Sequence, residues 1–226
     1  MSAEMEAKQV TWKEERRTLT LTGEPVMELS LSWPKLEGKR MHGAQRYYRK
    51  IYKIWKKYWE REGYWQACAD LAQQRERSRP FRVWQAELSG QVTLDQDGFL
   101  SISMLAREVQ GDGRTLEYRW GDTWRWEDGS IVTLKELFAQ KKGWKKRLEQ
   151  ALNQAVQDCR QRGTYLDEEL QLPLRRWCSG QRFALSEEGM EVYFPQCTIA
   201  PAVEGTVVLR LPMPDGIHIT KNEKDA

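Results

Sequence analysis

The segment Arg119–Trp126 holds three of the chain's 11 tryptophans within seven positions. On an extended strand, Trp120, Trp124 and Trp126 would share one face, with Arg119 and Arg125 on the other. Exposed indoles beside arginines are suited to stacking on sugars or anchoring a protein partner, because they offer a rigid apolar face with a polar edge. The alternative is that the indoles belong to the core. The candidate binding surface is Arg119, Trp120, Asp122, Trp124 and Arg125.

A second constellation is a run of basic residues interleaved with aromatic residues between positions 44 and 77. Most of these cations fall on the helix face opposite the aromatic stripe, where they could contact phosphates or an anionic membrane surface. The alternative is a solvent-exposed cationic face with no binding role, which the near-neutral net charge favours. The alternative binding surface is Arg46, Arg49, Lys50, Lys53, Lys56, Lys57 and Arg61.

Acidic, cysteine and histidine residues give no catalytic signal. The runs Asp167–Glu169 and Glu187–Glu188 are typical of solvated turns, since acid–base pairs must be held across a cleft. His42 and His218 have no identifiable partners for a triad or a metal centre. We therefore predict no enzymatic activity, no catalytic residue, no metal and no cofactor.

The four cysteines are too widely spaced for a zinc site, and no Cys-x-x-Cys pair occurs. We expect reduced, mostly buried thiols. If the native chain is exported, one disulfide could form. The cysteines are Cys68, Cys159, Cys178 and Cys197.

Composition bounds the class of protein. The 226 residues include 36 Lys+Arg and 33 Asp+Glu, a net charge of +3, too even to indicate a polyanion-binding protein by charge alone. The 40% hydrophobic content suffices for a sizeable core. No apolar run is long enough to span a membrane, and residues 1–13 do not resemble a signal peptide. We expect a soluble, cytoplasmic protein.

The periodicity of apolar residues predicts the elements that must position these sites. Residues 17–33 alternate around a turn at Gly23–Pro25 and indicate two strands. Spacing of three to four residues indicates a helix over 44–77, which Gly63 could kink or divide. Its predicted buried face is Ala44, Tyr48, Ile51, Trp55, Tyr58, Trp65, Ala69 and Ala72.

The remaining chain continues as strands, helix and strands. Residues 81–126 read as an antiparallel meander, and Thr133–Glu136 has the form of a capping box. A second long helix is predicted over 143–162, ending at Gly163. Three short strands follow: Phe183–Leu185, Met190–Phe194 and Val207–Leu211. The fold class is α+β, an antiparallel sheet with two long packed helices. We expect core positions for Trp55, Trp65, Leu148, Leu152 and Phe194.

Three motifs in the second half carry a family resemblance. They resemble the Leu-Thr-Leu-x-Asp-Leu-Phe helix entry, the Phe-x-Leu hairpin and the Ile-Ala-Pro run with its closing Ile-Pro of a bacterial domain of unknown function. That domain occurs at the C-terminal end of RsiV-type anti-sigma factors and in the non-catalytic part of PdaC-type peptidoglycan deacetylases. The likeness covers roughly residues 26–214. The motifs are Val132–Phe138, Phe183–Phe194, Ile199–Pro201 with Gly205, and Leu211–Pro212.

Departures from the family pattern limit what the resemblance implies. Cys197, Thr198 and Ala202 stand where the family usually has Tyr, Glu and Tyr, so the polar cluster of those groups cannot form in its usual way. The sequence lacks the anchor behind which RsiV-type proteins sense lysozyme, and it lacks the metal ligands of the deacetylase domain. The resemblance therefore implies the fold and a non-catalytic binding role.

These arguments rank three functions. The first is a non-enzymatic ligand- or protein-binding module, regulatory or sensing, with an unknown protein or glycan partner. The second is nucleic-acid or anionic-surface binding through the basic face, and the third is a cell-wall glycan-acting enzyme. The expected segments are an N-terminal arm, 1–25; a first half, 26–130; a family-like C-terminal half, 131–214; and a flexible tail, 215–226. The oligomeric state is left open.

Overall fold

A long antiparallel hairpin opens the described part of the chain. Strands β1 (Val10–Leu21) and β2 (Glu24–Leu36) pair from Val10 opposite Leu36 to Leu21 opposite Glu24. The turn lies at Thr22 and Gly23, whose φ angles of 51° and 89° are left-handed. The two predicted strands are confirmed, with both strands longer than expected and the turn slightly earlier.

The computed structural model describes residues 10–138, 143–167, 173–176, 178 and 183–213. These residues fall into two compact units, within Met1–Gly90 plus Leu105–Glu117 and within Gln91–Met104 plus Tyr118–Ala226. Three sequence-based predictions lie outside the described residues. They concern His218, the Glu168 and Glu169 carboxylates, and the tail 215–226.

The first predicted helix is two α-helices joined by a π-helical turn. Helix α1 spans His42–Tyr58, the π turn Trp59–Gly63, and α2 Tyr64–Glu76. The wider turn adds a residue, so the buried face advances by one position beyond it. Buried side chains past the turn are those of Ala67, Cys68 and Leu71.

This register shift corrects part of the predicted core face. Trp65 is 69% exposed, and Ala69 and Ala72 are also exposed, because they continue a register that the π turn ends. Trp55 is half-buried rather than buried. Before the turn, Ala44 and Tyr48 are buried as predicted, whereas Ile51 and Tyr58 are half-buried.

The meander follows as β3 (Trp84–Gln96), β4 (Phe99–Val109) and β5 (Thr115–Arg125). The five strands are hydrogen-bonded in the order β1-β2-β3-β4-β5. Strands β2 and β3 pair in parallel, from Met27 opposite Trp84 to Leu31 opposite Leu88. The predicted purely antiparallel sheet is thus wrong at this pair. A helical crossover between neighbouring strands brings the second strand back in the same direction.

The second unit contains the remaining helices and strands. Helices α3 (Leu134–Phe138) and α4 (Trp144–Gln161) precede a three-stranded sheet of β6 (Phe183–Ser186), β7 (Gly189–Phe194) and β8 (Val207–Leu211), in the order β6-β7-β8. The predicted capping box forms: the Thr133 amide donates to Glu136 Oε2 at 2.9 Å, and the Glu136 amide donates to the Thr133 hydroxyl at 3.3 Å. Leu148, Leu152 and Phe194 are buried in the hydrophobic core of the second unit, as predicted. No helix among the described residues is long and apolar enough to cross a membrane.

Candidate functional site

The tryptophan-rich segment lies on β5 and is largely buried. Exposed fractions are 2% for Trp120, 7% for Trp124 and 0% for Asp122, and Trp126 just beyond the strand is also buried. An exposed stacking surface of indoles is therefore not what the fold provides, and that version of the predicted site is wrong. The alternative of core indoles, which the sequence also allowed, describes these residues.

The face of β5 opposite the tryptophans is covered by the close approach of β6. A Cβ atom on Gly121 would lie 2.4 Å from the carbonyl oxygen of Phe183, so only glycine allows this contact. Next to it, the hydroxyls of Ser101 and Thr123 are hydrogen-bonded at 2.9 Å, and the Leu185 amide donates to the Ser101 hydroxyl at 2.8 Å. Strand β5 is thus covered on the face that carries Gly121 and Thr123.

The two arginines of the predicted surface are half-buried. The Arg125 guanidinium lies 3.6 Å from the Glu136 carboxylate and donates to the Ser130 hydroxyl at 3.3 Å. The Nε atom of Arg119 is buried and has no hydrogen-bond partner among the described residues. The structure brings these arginines onto one strand, β5.

A polar cluster lies near Arg119 in the same unit. The Tyr193 hydroxyl donates to Glu191 Oε2 at 3.0 Å, and Arg210 Nε donates to Glu191 Oε1 at 3.3 Å. Burial of the Tyr193 ring raises the pKa of its hydroxyl strongly, so this group stays protonated at any physiological pH. The hydrogen bond from Arg210 to Glu191 ties β7 to β8.

The basic face predicted for the first helix is present on α1. Six of its seven cations are exposed, and none of the six forms an ion pair within the described part of the chain. The opposite face of α1 packs against β2, where Tyr52 stacks on Trp33 with ring centroids 3.8 Å apart. The exposed six are Arg46, Arg49, Lys50, Lys53, Lys57 and Arg61.

Lys56 is the exception. Its ammonium donates to Glu15 Oε1 at 2.6 Å and to the Tyr52 hydroxyl at 3.2 Å, and Tyr52 also donates to Glu15. These contacts lower the pKa of Glu15, chiefly through the Lys56 hydrogen bond, and raise the pKa of Lys56 for the same reason. Lys56 thus fastens α1 to β1, and its charge is already compensated.

A groove that sequence reasoning missed lies on the exposed side of α2. It has a volume of about 390 Å³ and is lined by residues from α2, the start of β3 and the β4–β5 turn, among them Asp70, Gln73, Trp84 and Arg114. Its residues come from three separate segments, so no single periodicity or spacing could have indicated it. The exposed Ala69 on its wall was assigned to the core by the register that the π turn interrupts.

The remaining sequence candidates are dispersed. Glu187 and Glu188 are exposed in the β6–β7 turn, and His42 is exposed at the start of α1. Among the described residues no group of three or more His, Cys, Asp or Glu side chains could hold a metal ion. Cys68 and Cys159 are buried, Cys178 is half-buried and Cys197 is exposed.

Comparison with known proteins identifies the C-terminal region. Residues 135–213 match the family described as "Protein of unknown function (DUF3298)". This region is similar to DUF3298 domains. It contains α4 and the β6-β7-β8 sheet. The resemblance to a bacterial domain of unknown function is confirmed for these residues. No curated protein matches the chain.

Two solved structures share the fold over most of the chain. A DUF3298 family member from Bacteroides fragilis is similar with a TM-score of 0.63 and 14% identity, covering 91% of this chain and 90% of that one. A DUF3298 family protein from Pseudomonas aeruginosa has a TM-score of 0.56 and 13% identity, covering 92% and 91%. At such identities the likeness concerns the fold alone. It extends well beyond the DUF3298 domain, into the strands and helices that precede it.

Proposed function

We propose that the protein is a non-enzymatic binding module and that it binds a polyanion through α1. The observation that carries this proposal is a cationic stripe on α1, formed by Arg46, Arg49, Lys50, Lys53 and Lys57. Helix α1 contains no acidic residue, and none of the stripe's cations is engaged in an ion pair within the described residues. The stripe is therefore uncompensated on its own helix.

The spacing of the stripe suits a ligand with regularly placed charges. Residues 46, 50, 53 and 57 follow one another at three or four positions, so they form a single row along the helix. From Arg46 to Lys57 the row is about 17 Å long at 1.5 Å per residue. Several phosphates of a nucleic-acid backbone can be contacted over that length.

Nucleic acid is favoured over a membrane surface as the ligand. A helix that lies in a membrane interface inserts an apolar face between the headgroups. The apolar face of α1 is already packed on β2, and Ile54 is the exposed large apolar side chain that α1 offers among the described residues. Recognition would therefore be electrostatic and independent of base sequence.

The family resemblance supports the broader class of function. In PdaC-type deacetylases the similar region lies outside the catalytic part, which favours binding over chemistry in this chain as well. A regulatory or sensing role and a cytoplasmic location both belong to this proposal. A cell-wall glycan-acting enzyme remains the third hypothesis, which turnover of glycan substrates by the pure protein would establish.

Fluorescence anisotropy with a labelled 20-base-pair duplex tests the proposal. If all five cations of the stripe contact phosphates, log K should fall with log salt with a slope of about −4.5. The double variant Lys50→Gln/Lys53→Gln should weaken binding and reduce that slope by about 2, because each lost phosphate contact removes about 0.9.

The matched control is Lys145→Gln/Lys146→Gln, which removes two exposed lysines from α4. This variant should retain both the affinity and the slope of the parent. Equal losses in the two double variants would show that overall charge, and not the stripe, drives binding. Absence of binding at low salt to both duplex and single-stranded DNA would refute the polyanion proposal. Vesicles containing anionic lipid, tested at the same salt, distinguish a membrane surface from nucleic acid.

A further inference from the structure

The groove on α2 has a carboxylate fixed in its wall. Asp70 Oδ2 accepts a hydrogen bond from the Trp84 indole nitrogen at 2.9 Å, and Oδ1 accepts one from the Gln74 amide at 2.9 Å. Both partners are neutral, and no cation forms an ion pair with Asp70 within the described residues. Asp70 thus presents a carboxyl group in a defined orientation with no counter-ion among the described residues.

Gly111 in the β4–β5 turn keeps this carboxylate in place. A Cβ atom at position 111 would lie 2.5 Å from Asp70 Oδ2 and 3.1 Å from the Arg82 carbonyl oxygen. Any side chain there would push the Asp70 carboxylate from its position. The close approach of turn and carboxylate is therefore a specific feature of this sequence.

The other charges of the groove neutralise each other. Arg114 Nε donates to Asp112 Oδ2 at 2.6 Å, and the Arg114 amide donates to Asp112 Oδ1 at 3.0 Å. Gln66 and Gln73 also line the groove, and their amides make no hydrogen bond within the described part of the chain. The groove thus combines one uncompensated carboxylate with amides that can both donate and accept hydrogen bonds.

We propose that this groove binds a primary ammonium group, either of a lysine side chain or of a small alkylamine, with Asp70 as its counter-ion. An ammonium group has three donors and a compact charge, so it can approach a carboxylate that already has two neutral partners. Hydrogen bonds to charged groups are the stronger class, which makes Asp70 the main determinant of affinity. The amides of Gln66 and Gln73 would contact the polar groups attached to the amine. This site is separate from the cationic stripe of α1 and does not depend on the polyanion proposal.

The experiment follows the Trp84 indole N–H resonance in ¹⁵N-labelled protein, assigned by loss of the signal in Trp84→Phe. The probes are Nα-acetyl-lysine methylamide, putrescine, and the Nε-acetylated form of the lysine probe, which keeps the shape and lacks the charge. We expect a saturable shift with an ammonium probe and none with the acetylated one. A response to both amines indicates recognition of the ammonium alone. A response restricted to the lysine probe indicates that the attached amides are also contacted.

Two variants connect the shift to Asp70. Asp70→Asn keeps an oxygen acceptor for Trp84 and should weaken binding at least tenfold. Gly111→Ala keeps every charge but displaces the carboxylate, and should weaken binding as well. Glu76→Gln, which removes an acid from the same helix outside the groove, should bind like the parent. The proposal is overturned if neither amine gives a saturable shift up to about 10 mM, if the acetylated probe binds equally, or if both variants bind like the parent.

Discussion

Glu15 shows how one side chain can join a helix to an edge strand. Its carboxylate accepts hydrogen bonds from Lys56 and Tyr52 of α1, and the pKa of Glu15 is lowered from its ordinary value of 4.5. A carboxyl group with a lower pKa in the native state stabilises the fold at pH values above its unfolded pKa. That stabilisation is lost as the pH falls through the lower, native pKa.

Glu15→Gln should therefore reduce the free energy of unfolding near neutral pH by about 1 kcal/mol, the range of a half-exposed charged pair. The reduction should shrink as the pH falls below the ordinary value of 4.5, because the parent then loses the same charge. Urea unfolding at a series of pH values measures the difference. Glu14→Gln, an exposed acid next to it on β1, should have little effect at any pH. A pH-independent loss in Glu15→Gln would show that packing, not charge, is what Glu15 contributes.

Trp59 is the largest fully buried side chain of the π turn. Its indole nitrogen donates to Glu108 Oε2 at 3.1 Å, and Glu108 itself is only 3% exposed. Trp59→Phe leaves a buried carboxylate oxygen without this donor, so it should cost about 1.5–3 kcal/mol of stability. Trp65→Phe is the matched control, since Trp65 is 69% exposed. Similar midpoints of thermal unfolding in the two variants would contradict the assigned hydrogen bond.

Among the elements, the π turn decides which face of α2 is buried. Its only indications in the sequence are Gly63 and Glu62, a charged residue at a position of the apolar stripe. Gly63 is packed closely, with the Met27 side chain 3.1 Å from the position of a Cβ atom. The extra residue of the π turn leaves each half of the helix amphipathic. Periodicity alone therefore could not locate the turn.

The register after the π turn can be tested by two truncations. Leu71→Ala should cost about 2–5 kcal/mol, the range for emptying a buried leucine site. Trp65→Ala should change stability by less than about 0.5 kcal/mol, as expected of an exposed position. Chemical unfolding of the two variants measures both values. The opposite order would restore the uninterrupted helix that the sequence suggested.

Strands and helices of the second unit were predictable because their signals are local. The Thr133–Glu136 capping box, the left-handed Gly163 (φ 88°) and the alternation of β7 all specify structure within a few residues. The candidate site on β5 was not predictable in this way. Whether Trp120 and Trp124 face solvent depends on what packs against their face of β5, which the local sequence does not specify; the approach of Phe183 to Gly121 concerns the other face. The composition of β5 marks it as unusually rich in tryptophan and arginine, but it does not determine which residues pack against the strand.

Over the whole chain, the cysteines report on each unit separately. None of the four forms a disulfide, and all lie in the described part of the chain. Cys68 is buried in the unit that contains α2, and Cys159 is buried in the unit that contains α4. Cys197 is exposed in the turn after β7. Two buried thiols and one exposed thiol thus provide internal probes of unfolding.

The two units should unfold together. Strands β3, β4 and β5 are each divided between the two units along the chain, so unfolding of one unit alone would have to end all three strands part-way along their length. We therefore expect Cys68 and Cys159 to become reactive towards a thiol reagent at the same urea concentration, while Cys197 reacts without denaturant. Mass spectrometry of peptides after pulsed labelling measures each thiol, and a Cys197→Ser variant serves as the control for the rapidly reacting site. Separate midpoints for Cys68 and Cys159 would mean that the strands break at the unit boundary, so that each unit has its own stability and Leu71→Ala should shift the Cys68 midpoint alone.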